Sequence, residues 1–493
     1  MSELDARDFL FLGPEILLTT LGLILLLWGA VARAERQSRQ CAWLALISLG
    51  ATAFYVVWLQ STLDGPRKIL AESFVLDGFS FVWKVLVLVS MIVIVLLSQR
   101  FVEEADYRAG EYYSLLLFAA AGMMFMASGA SLLTIWISLE LMALSSYILA
   151  GYFKRELKSN EAALKYFVLG ALSSGVMLYG ISLLYGGTGT VLLDGMAAAI
   201  AAADGPSMLV VVGWVMLAAG LLFKVAAVPF HVWTPDVYVG APTPVTAFLA
   251  VASKSASFAI LVRILYQGLP GLRVDWQMVL AAVATLTMIW GNLAALTQDN
   301  VKRLLAYSSI AHAGYVLVGV LALNEIGLWA VVYYLIAYSA ITLGTFGTVI
   351  LLERKDYAGE TCEDYAGLAG RSPFLAAMML VFMLALTGIP PTGGFVGKFY
   401  LFAAAVQAGW TWVAVVGVLM SAVSLYYYFR IVMYMYQREE TATTPVPLRE
   451  PALVGAIVLC CIATLALGIY PAPFIEFAKA AMLPLPGGPA LGP

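Results

Sequence analysis

Charge is scarce in this chain of 493 residues: Asp, Glu, Lys and Arg make up 12% of it, with 27 basic residues against 30 acidic ones for a net charge of −3. Soluble domains carry about a quarter charged residues, so a water-soluble enzyme is excluded. The few charges are scattered, which leaves no basic field to attract nucleic acid. Histidine is rarer still, only His231 and His312, and the four cysteines Cys41, Cys362, Cys460 and Cys461 contain no Cys-x-x-Cys pair. Zinc, haem and iron–sulfur ligation therefore have almost nothing to use, and redox chemistry by this chain is not expected. What the chain has in excess is apolar surface, 62% of its residues and a mean hydropathy of +0.91. That is the composition of an integral membrane protein.

A bilayer core of ~30 Å takes about 20 apolar helical residues. Fourteen such stretches stand out, at 14–33, 41–60, 78–99, 111–128, 131–153, 162–185, 208–228, 243–267, 277–297, 304–322, 326–352, 373–405, 410–437 and 452–472. The first follows Glu3, Asp5 and Asp8 without a basic leader or a small-residue cleavage site, so it reads as a retained helix. Loop cations set orientation, because cytoplasmic loops collect Lys and Arg. One set of loops holds Arg33, Arg36, Arg39, Arg100, Arg108, Lys154, Arg155, Lys158, Lys302, Arg303, Arg354, Lys355, Arg371, Arg438 and Arg449, whereas the opposite set has only Arg7, Arg67, Lys68, Arg273 and Lys479. This asymmetry puts both termini on the outer, periplasmic side.

The expected fold is all-α, with about fourteen transmembrane helices. Helices four to eight (111–267) and nine to thirteen (277–437) form blocks of nearly equal length. Repeats with an odd number of helices insert in opposite orientations, the inverted-repeat plan of ion transporters. The division is then an N-terminal segment of three helices (1–110), the two repeats, and a C-terminal helix and tail (438–493). The fourth helix of each block is interrupted, at Lys224 to Pro229 in helix seven and at Gly388 to Lys398 in helix twelve. Proline removes a helical hydrogen bond, so Pro229 and Pro391 should free backbone carbonyls near mid-membrane. Backbone of that kind is tolerated only beside protein or water.

Ionisable groups deep in a bilayer are costly, which makes them the sharpest functional signal. Glu140 falls in the middle of helix five, Lys224 at the first break, Lys254 at the centre of helix eight, His312 at the centre of helix ten, and Lys398 just after the second break. Burial favours a neutral lysine and a nearby carboxylate favours a charged one, so displacing Glu140 relative to Lys224 would switch that lysine between holding and releasing a proton. A static ion pair or polar helix contact is the competing reading. For His312, relay and simple cross-helix hydrogen bonding weigh equally. Lys84, Lys165, Arg263 and Arg430 read as snorkelling side chains. Glu161 and Lys165, at i and i+4, suggest a carboxylate at a proton entrance or an interfacial pair. His231 and Asp236 either line the same funnel or cap the helix after the break.

The run Pro229-Phe230-His231-Val232-Trp233-Thr234-Pro235-Asp236-Val237-Tyr238, then Gly240-Ala241-Pro242-Thr243-Pro244-Val245-Thr246-Ala247-Phe248 and Ser253-Lys254, resembles the subunit N family of proton-translocating NADH-quinone oxidoreductase, respiratory complex I. Glu161 to Phe167 and Ile389 to Phe399 are similar to the same family. The likeness spans helices four to thirteen. Lys398 separates it from subunit M, which has glutamate there. Subunit L is longer, and the Trp233 to Tyr238 run sets the chain apart from the D subunit of Mrp antiporters. The resemblance implies that Glu140 and Lys224 are the helix-five and helix-seven pair, Lys254 the central lysine and Lys398 the lysine toward the periplasm. It implies no cofactor in this chain, with NADH, FMN, iron–sulfur clusters and quinone (ubiquinone or another) in partner subunits. Its partners would be the other membrane subunits, the homologous antiporter-like ones among them, in a bacterial inner membrane. The alternatives are an Mrp-type sodium/proton antiporter subunit and a non-conducting scaffold in a related energy-converting complex, such as a hydrogenase or a photosynthetic assembly.

Overall fold

A computed structural model of the chain describes residues 8–31, 34–104, 108–203, 205–353, 360–438 and 450–483. The cations Arg7, Arg33, Arg354, Lys355 and Arg449, the loop 439–449 and the proline-rich end 484–489, expected to be a flexible tail, lie outside the described residues. Apolar sequence folds as helix almost throughout, because in hydrocarbon a helix satisfies its own backbone groups. The order begins α1 (Gly13–Val31), α2 (Ala34–Thr62), α3 (Gly78–Glu104), α4 (Ala109–Ser128), α5 (Leu132–Ala150) and α6 (Leu157–Thr188). Next come α7 (Met208–Lys224) and α8 (Trp233–Gly240) on either side of the first break, α9 (Thr243–Gly268), α10 (Arg273–Leu296), α11 (Val301–Ala322) and α12 (Glu325–Leu352). The chain continues with α13 (Pro373–Thr387) and α14 (Gly393–Gln407) around the second break, then α15 (Thr411–Gln437), α16 (Pro451–Ile469) and α17 (Ala472–Lys479).

Among the described residues, twelve helices are long and apolar enough to cross a membrane. The shorter α7 and α13 are the first halves of the broken elements. The expected fourteen crossings are reached only if each broken element counts as one. The helix starts follow local capping: Asn300 accepts from the Arg303 amide to open α11, and Asn324 from the Gly327 amide to open α12. Helix six begins earlier than its hydropathy suggests, at Leu157, which brings Lys158 and Glu161 into α6. Each block has the same neighbours, α4 beside α5 and α6 beside α7 in the first, α10 beside α11 and α12 beside α13 and α14 in the second.

Burial divides the helices into a shaft and a rim. The membrane window of α9 is entirely buried and those of α11 and α12 are 94% and 89% buried, against 28% for α1 and 33% for α15. A helix that is apolar all round belongs in such a centre. Lys254 lies on α9 and His312 on α11, so the shaft carries the central pair of ionisable residues. In α9 the α-helix is interrupted by two π-helical turns, Leu249–Ser253 and Ile264–Gly268, which leave Lys254–Arg263 as a regular rod between them.

Two snorkelling expectations are overturned. Lys84 is buried and its ammonium lies 2.7 Å from the Glu15 carboxylate of α1. Arg263 is also buried, bound through both terminal nitrogens to Asp77 at 2.9 Å and to the Ala127 carbonyl at 3.1 Å. In both cases an acid within the protein holds the cation better than the distant water surface would. Arg430 does reach a helix end, with its head on the Leu296 and Gln298 carbonyls and 3.6 Å from the exposed Asp299 carboxylate. Lys165 stays half-exposed, as expected.

Hydropathy gave no sign of a small antiparallel hairpin, β1 (Arg67–Ile69) and β2 (Phe74–Leu76), with Arg67 opposite Leu76. Lys68 ties it to Asp194 at 2.8 Å, Gln267 of α9 donates to Asp194, and Arg263 reaches Asp77 just after β2. A polar clasp thus fastens the hairpin to the end of the central shaft. At the other end of the chain α17 lies beside α3, Phe477 packing edge-on to Phe81.

Candidate functional site

The second break is where the sequence-level expectation of freed carbonyls meets a side chain. Gly388 ends α13 at a φ of 91°, a left-handed conformation that glycine adopts without a Cβ penalty. The last carbonyls of α13 are left without helical partners, and the buried Lys398 of α14 takes two of them, Leu386 and Thr387, each at 2.9 Å. Its third hydrogen bond goes to the Ser421 hydroxyl of α15 at 2.8 Å, and the ammonium stands 4.7 Å from the centre of the Tyr315 ring. A helix C-terminus carries partial negative charge, so the site suits a cation without supplying a carboxylate.

Lys254 is held in a similar way at the centre of the shaft. It donates to the carbonyl and the hydroxyl of Ser309 on α11, the carbonyl at 2.8 Å. Tyr338 of α12 donates to the same hydroxyl at 2.9 Å. One turn further along α11, His312 bonds Tyr334 through Nδ1 and Tyr428 through Nε2, the latter at 3.0 Å. Tyr428 also bonds Ser308, and Tyr315, Tyr334 and Tyr338 pack round the imidazole. Tyr315 then leads to Lys398. Hydrogen bonds thus run from Lys254 through Ser309 to Tyr338, and ring contacts continue from Tyr338 through His312 and Tyr315 to Lys398.

Glu140 and Lys224 make no direct ion pair. Lys224, the last residue of α7, donates to the Tyr147 hydroxyl at 3.3 Å, while Glu140 accepts from Ser174, which in turn accepts from Trp136 at 3.0 Å. Glu140 is half-buried, on the side of α5 that also shows Ile137 and Leu144 to the outside. At the first break the Phe223 carbonyl accepts from both the Ala226 amide and the Trp233 indole, each at 3.1 Å, and the Val228 amide donates to Thr287 at 3.0 Å. The two breaks therefore differ: the carbonyls of the second bind a lysine, whereas that of the first binds an indole.

Glu161 and Asp236 come together through Lys165, which lies 2.8 Å from one and 2.7 Å from the other, and Arg303 completes the group at 3.1 Å from Asp236. His231 stands apart from them, edge-on to Trp290 with its ring centre 6.2 Å away. The serines and tyrosines between the lysines were missed by sequence reasoning, although a signal was present. Ser308, Ser309, His312 and Tyr315 recur at helical spacing on α11, as do Tyr334 and Tyr338 on α12. Among the described residues no group of three or more His, Cys, Asp or Glu could hold a metal ion.

This arrangement has relatives. Residues 129–424 match the family described as NADH:quinone oxidoreductase/Mrp antiporter, transmembrane. The chain is 43% identical over 483 residues to NADH-quinone oxidoreductase subunit N 2 of Solibacter usitatus, covering 97% of this chain and 98% of the relative. It is 42% identical to subunit N of Trichlorobacter lovleyi, covering 95% and 96%. Among solved structures it is similar to a chain of respiratory complex I from Thermus thermophilus with bound aureothin, at 35% identity and a TM-score of 0.80, covering 94% of this chain and 99% of that one. The chain belongs to the subunit N family of NADH-quinone oxidoreductases, within the wider NADH:quinone oxidoreductase/Mrp antiporter transmembrane family.

Proposed function

We propose that this chain is a proton-conducting subunit in the membrane arm of a bacterial NADH-quinone oxidoreductase. It moves protons outward while the assembled complex passes electrons from NADH to a quinone. Protons enter from the cytoplasm near Glu161 and Asp236, load Lys224 or Lys254, cross by way of His312 and water, and leave through Lys398. Displacement of the Glu140 and Lys224 charges relative to one another sets the timing. In this reading residues 111–267 and 277–437 are the inverted repeats, flanked by 1–110 and 438–493, and both termini face the periplasm. NADH, FMN, iron–sulfur clusters and quinone reside in the other subunits.

The observation that carries the reading is the difference in partners between two pairs of buried cations. Lys84 and Arg263 sit against carboxylates, as static structural cations do. Lys254 and Lys398 are held only by hydroxyls and backbone carbonyls. A lysine bonded to neutral dipoles can give up its proton without stranding a buried counter-charge. The reading is tested by assembling the complex with Lys254→Ala or Lys398→Ala and measuring proton uptake into inverted vesicles alongside NADH oxidation. Loss of uptake with the complex still assembled is expected. Unchanged uptake in both variants refutes conduction and leaves a scaffold role. The family description also covers Mrp antiporters. Sodium-dependent proton movement without NADH in the same vesicles would favour that class.

A further inference from the structure

A neutral amide that the route above does not use stands beside its last step. Asn292 of α10 is completely buried. Its side-chain nitrogen donates to the Met288 carbonyl at 2.7 Å and to the Tyr315 hydroxyl at 3.1 Å, and its side-chain oxygen accepts from the Tyr427 hydroxyl at 3.0 Å. Chemistry fixes which way round the amide sits. A backbone carbonyl only accepts, so the NH2 group must face Met288, and its second hydrogen then points at Tyr315. The Tyr315 oxygen is therefore held as an acceptor, and its own O–H has to point away from α10. The mounting is rigid: a Cβ on Gly291 would lie 2.6 Å from the Ala311 nitrogen, and one on Gly314 would lie 2.9 Å from the Met288 nitrogen, so α10 and α11 meet backbone to backbone at this level. Both phenols that Asn292 holds lead to the imidazole. Tyr315 is edge-on to His312 at 5.5 Å and has the Lys398 ammonium 4.7 Å from its ring centre. Tyr427 packs on Tyr428 at 4.4 Å, and Tyr428 bonds His312 Nε2 at 3.0 Å. Burying an amide costs free energy that an apolar side chain of similar volume would not, so packing alone gives no reason for asparagine here.

We infer that Asn292 is a positioning residue for proton passage between His312 and Lys398, an inference that rests on the proton-conducting reading above. It acts through Tyr315, by tying the phenol to α10 and by fixing the direction of its O–H. Without the amide, the hydroxyl is free to turn its hydrogen toward α10, and the ring loses the bond that keeps it beside both the imidazole and the ammonium. Asn292 itself carries no proton along the route. A carboxamide does not titrate, and both of its donor hydrogens are already engaged.

The test separates position from packing by combining two substitutions. Intact complex carrying Asn292→Leu, Tyr315→Phe, both together, Lys254→Ala or Lys398→Ala is placed in sealed vesicles. Proton uptake per assembled complex, NADH oxidation and thermal retention of this chain are followed in each. The inference expects Asn292→Leu and Tyr315→Phe each to lower uptake by about tenfold, less than the ~100-fold that a misplacement of 1 Å can cost. Because Asn292 acts through the Tyr315 hydroxyl, Asn292→Leu should add no further loss in the Tyr315→Phe background. The combined variant leaves neither end of that hydrogen bond unpaired, so its thermal retention should exceed that of Asn292→Leu while its uptake stays low. A purely structural role would make the two readouts recover together. If Asn292→Leu or Tyr315→Phe pumps like the parent while Lys398→Ala does not, the inference is overturned and the wider reading stands. If Lys254→Ala and Lys398→Ala pump like the parent as well, the wider reading fails too. Losses that multiply in the combined variant, uptake that returns with thermal retention, or failure of both Asn292 variants to assemble would make Asn292 a packing residue and overturn the inference.

Discussion

Removing either member of the Glu15 and Lys84 pair should be far more damaging than removing both. The carboxylate of Glu15 is completely buried and lies 2.7 Å from the Lys84 ammonium, whose side chain is 3% exposed. The pair joins α1 to α3. Lys84→Met leaves a charged or forcibly protonated carboxylate in a low-dielectric site, and breaking a buried pair in this way costs about 3–5 kcal/mol. At about 1.4 kcal/mol per tenfold, that is two to nearly four orders of magnitude in the folded-to-unfolded ratio. In Glu15→Leu with Lys84→Met, no charge remains to be solvated, and replacing a buried pair by apolar side chains of similar volume is often neutral or stabilising. The assay is a double-mutant cycle on the tagged complex in mild detergent, following retention of this chain against temperature. Proton uptake per NADH should be unchanged in the double variant, because the pair touches no residue of the lysine axis. If Lys84→Met alone is as stable as the double variant, Glu15 is not an uncompensated charge and the argument is wrong.

Other expectations follow from the same geometry. At the second break a Cβ on Gly394 would lie 2.0 Å from the Ala385 carbonyl oxygen. Gly394→Ala should push α13 and α14 apart at a cost of about 1–3 kcal/mol and weaken proton uptake, as measured by thermal retention and vesicle acidification. Ser421→Ala removes one of three acceptors around Lys398 while leaving both carbonyls. It should slow uptake less than Lys398→Ala does, and an equal effect would show that the hydroxyl itself conducts. The clasp between the hairpin and α9 should depend on pH. Burial pulls the Asp194 carboxyl up, but its bonds from Lys68 and Gln267 outweigh that and leave it below the usual carboxylate range, while its bonds to Asp194 and Glu72 raise Lys68. The Asp194 contribution is present above the ordinary aspartate pKa of about 3.9 and disappears as pH falls through the lowered value. The Lys68 contribution is full below about 10.4 and is lost as pH rises through the raised value. Amide protection across residues 67–76 should therefore be flat between these limits and fall outside them, and Asp194→Asn should shrink the acid limb.

The all-helical membrane fold and the two breaks could be read from the chain because the bilayer imposes a length and because proline and glycine act locally. The apolar runs that stop at Lys224 and at Gly388 are properties of neighbouring residues, whereas the short helix Trp233–Gly240 lies where a loop was expected. Glu140, Lys224, Lys254, His312 and Lys398 were legible for a related reason, since each is an ionisable residue that hydropathy alone places deep in a helix. The partners of those residues were not legible. Sequence does not say that Lys84 meets Glu15 while Lys398 meets only carbonyls and a serine, because both are single lysines in apolar helices until contacts across many residues are known. Nor does it separate Asp236, drawn into the cluster with Glu161, from His231 five residues earlier, which faces Trp290. By itself the sequence determined that this is a helical membrane protein with broken helices and buried charges, since those follow from composition and local chemistry. Only the tertiary structure decided which of those charges are neutralised and which are held by dipoles, because a buried group's energy depends on the atoms that replace its water.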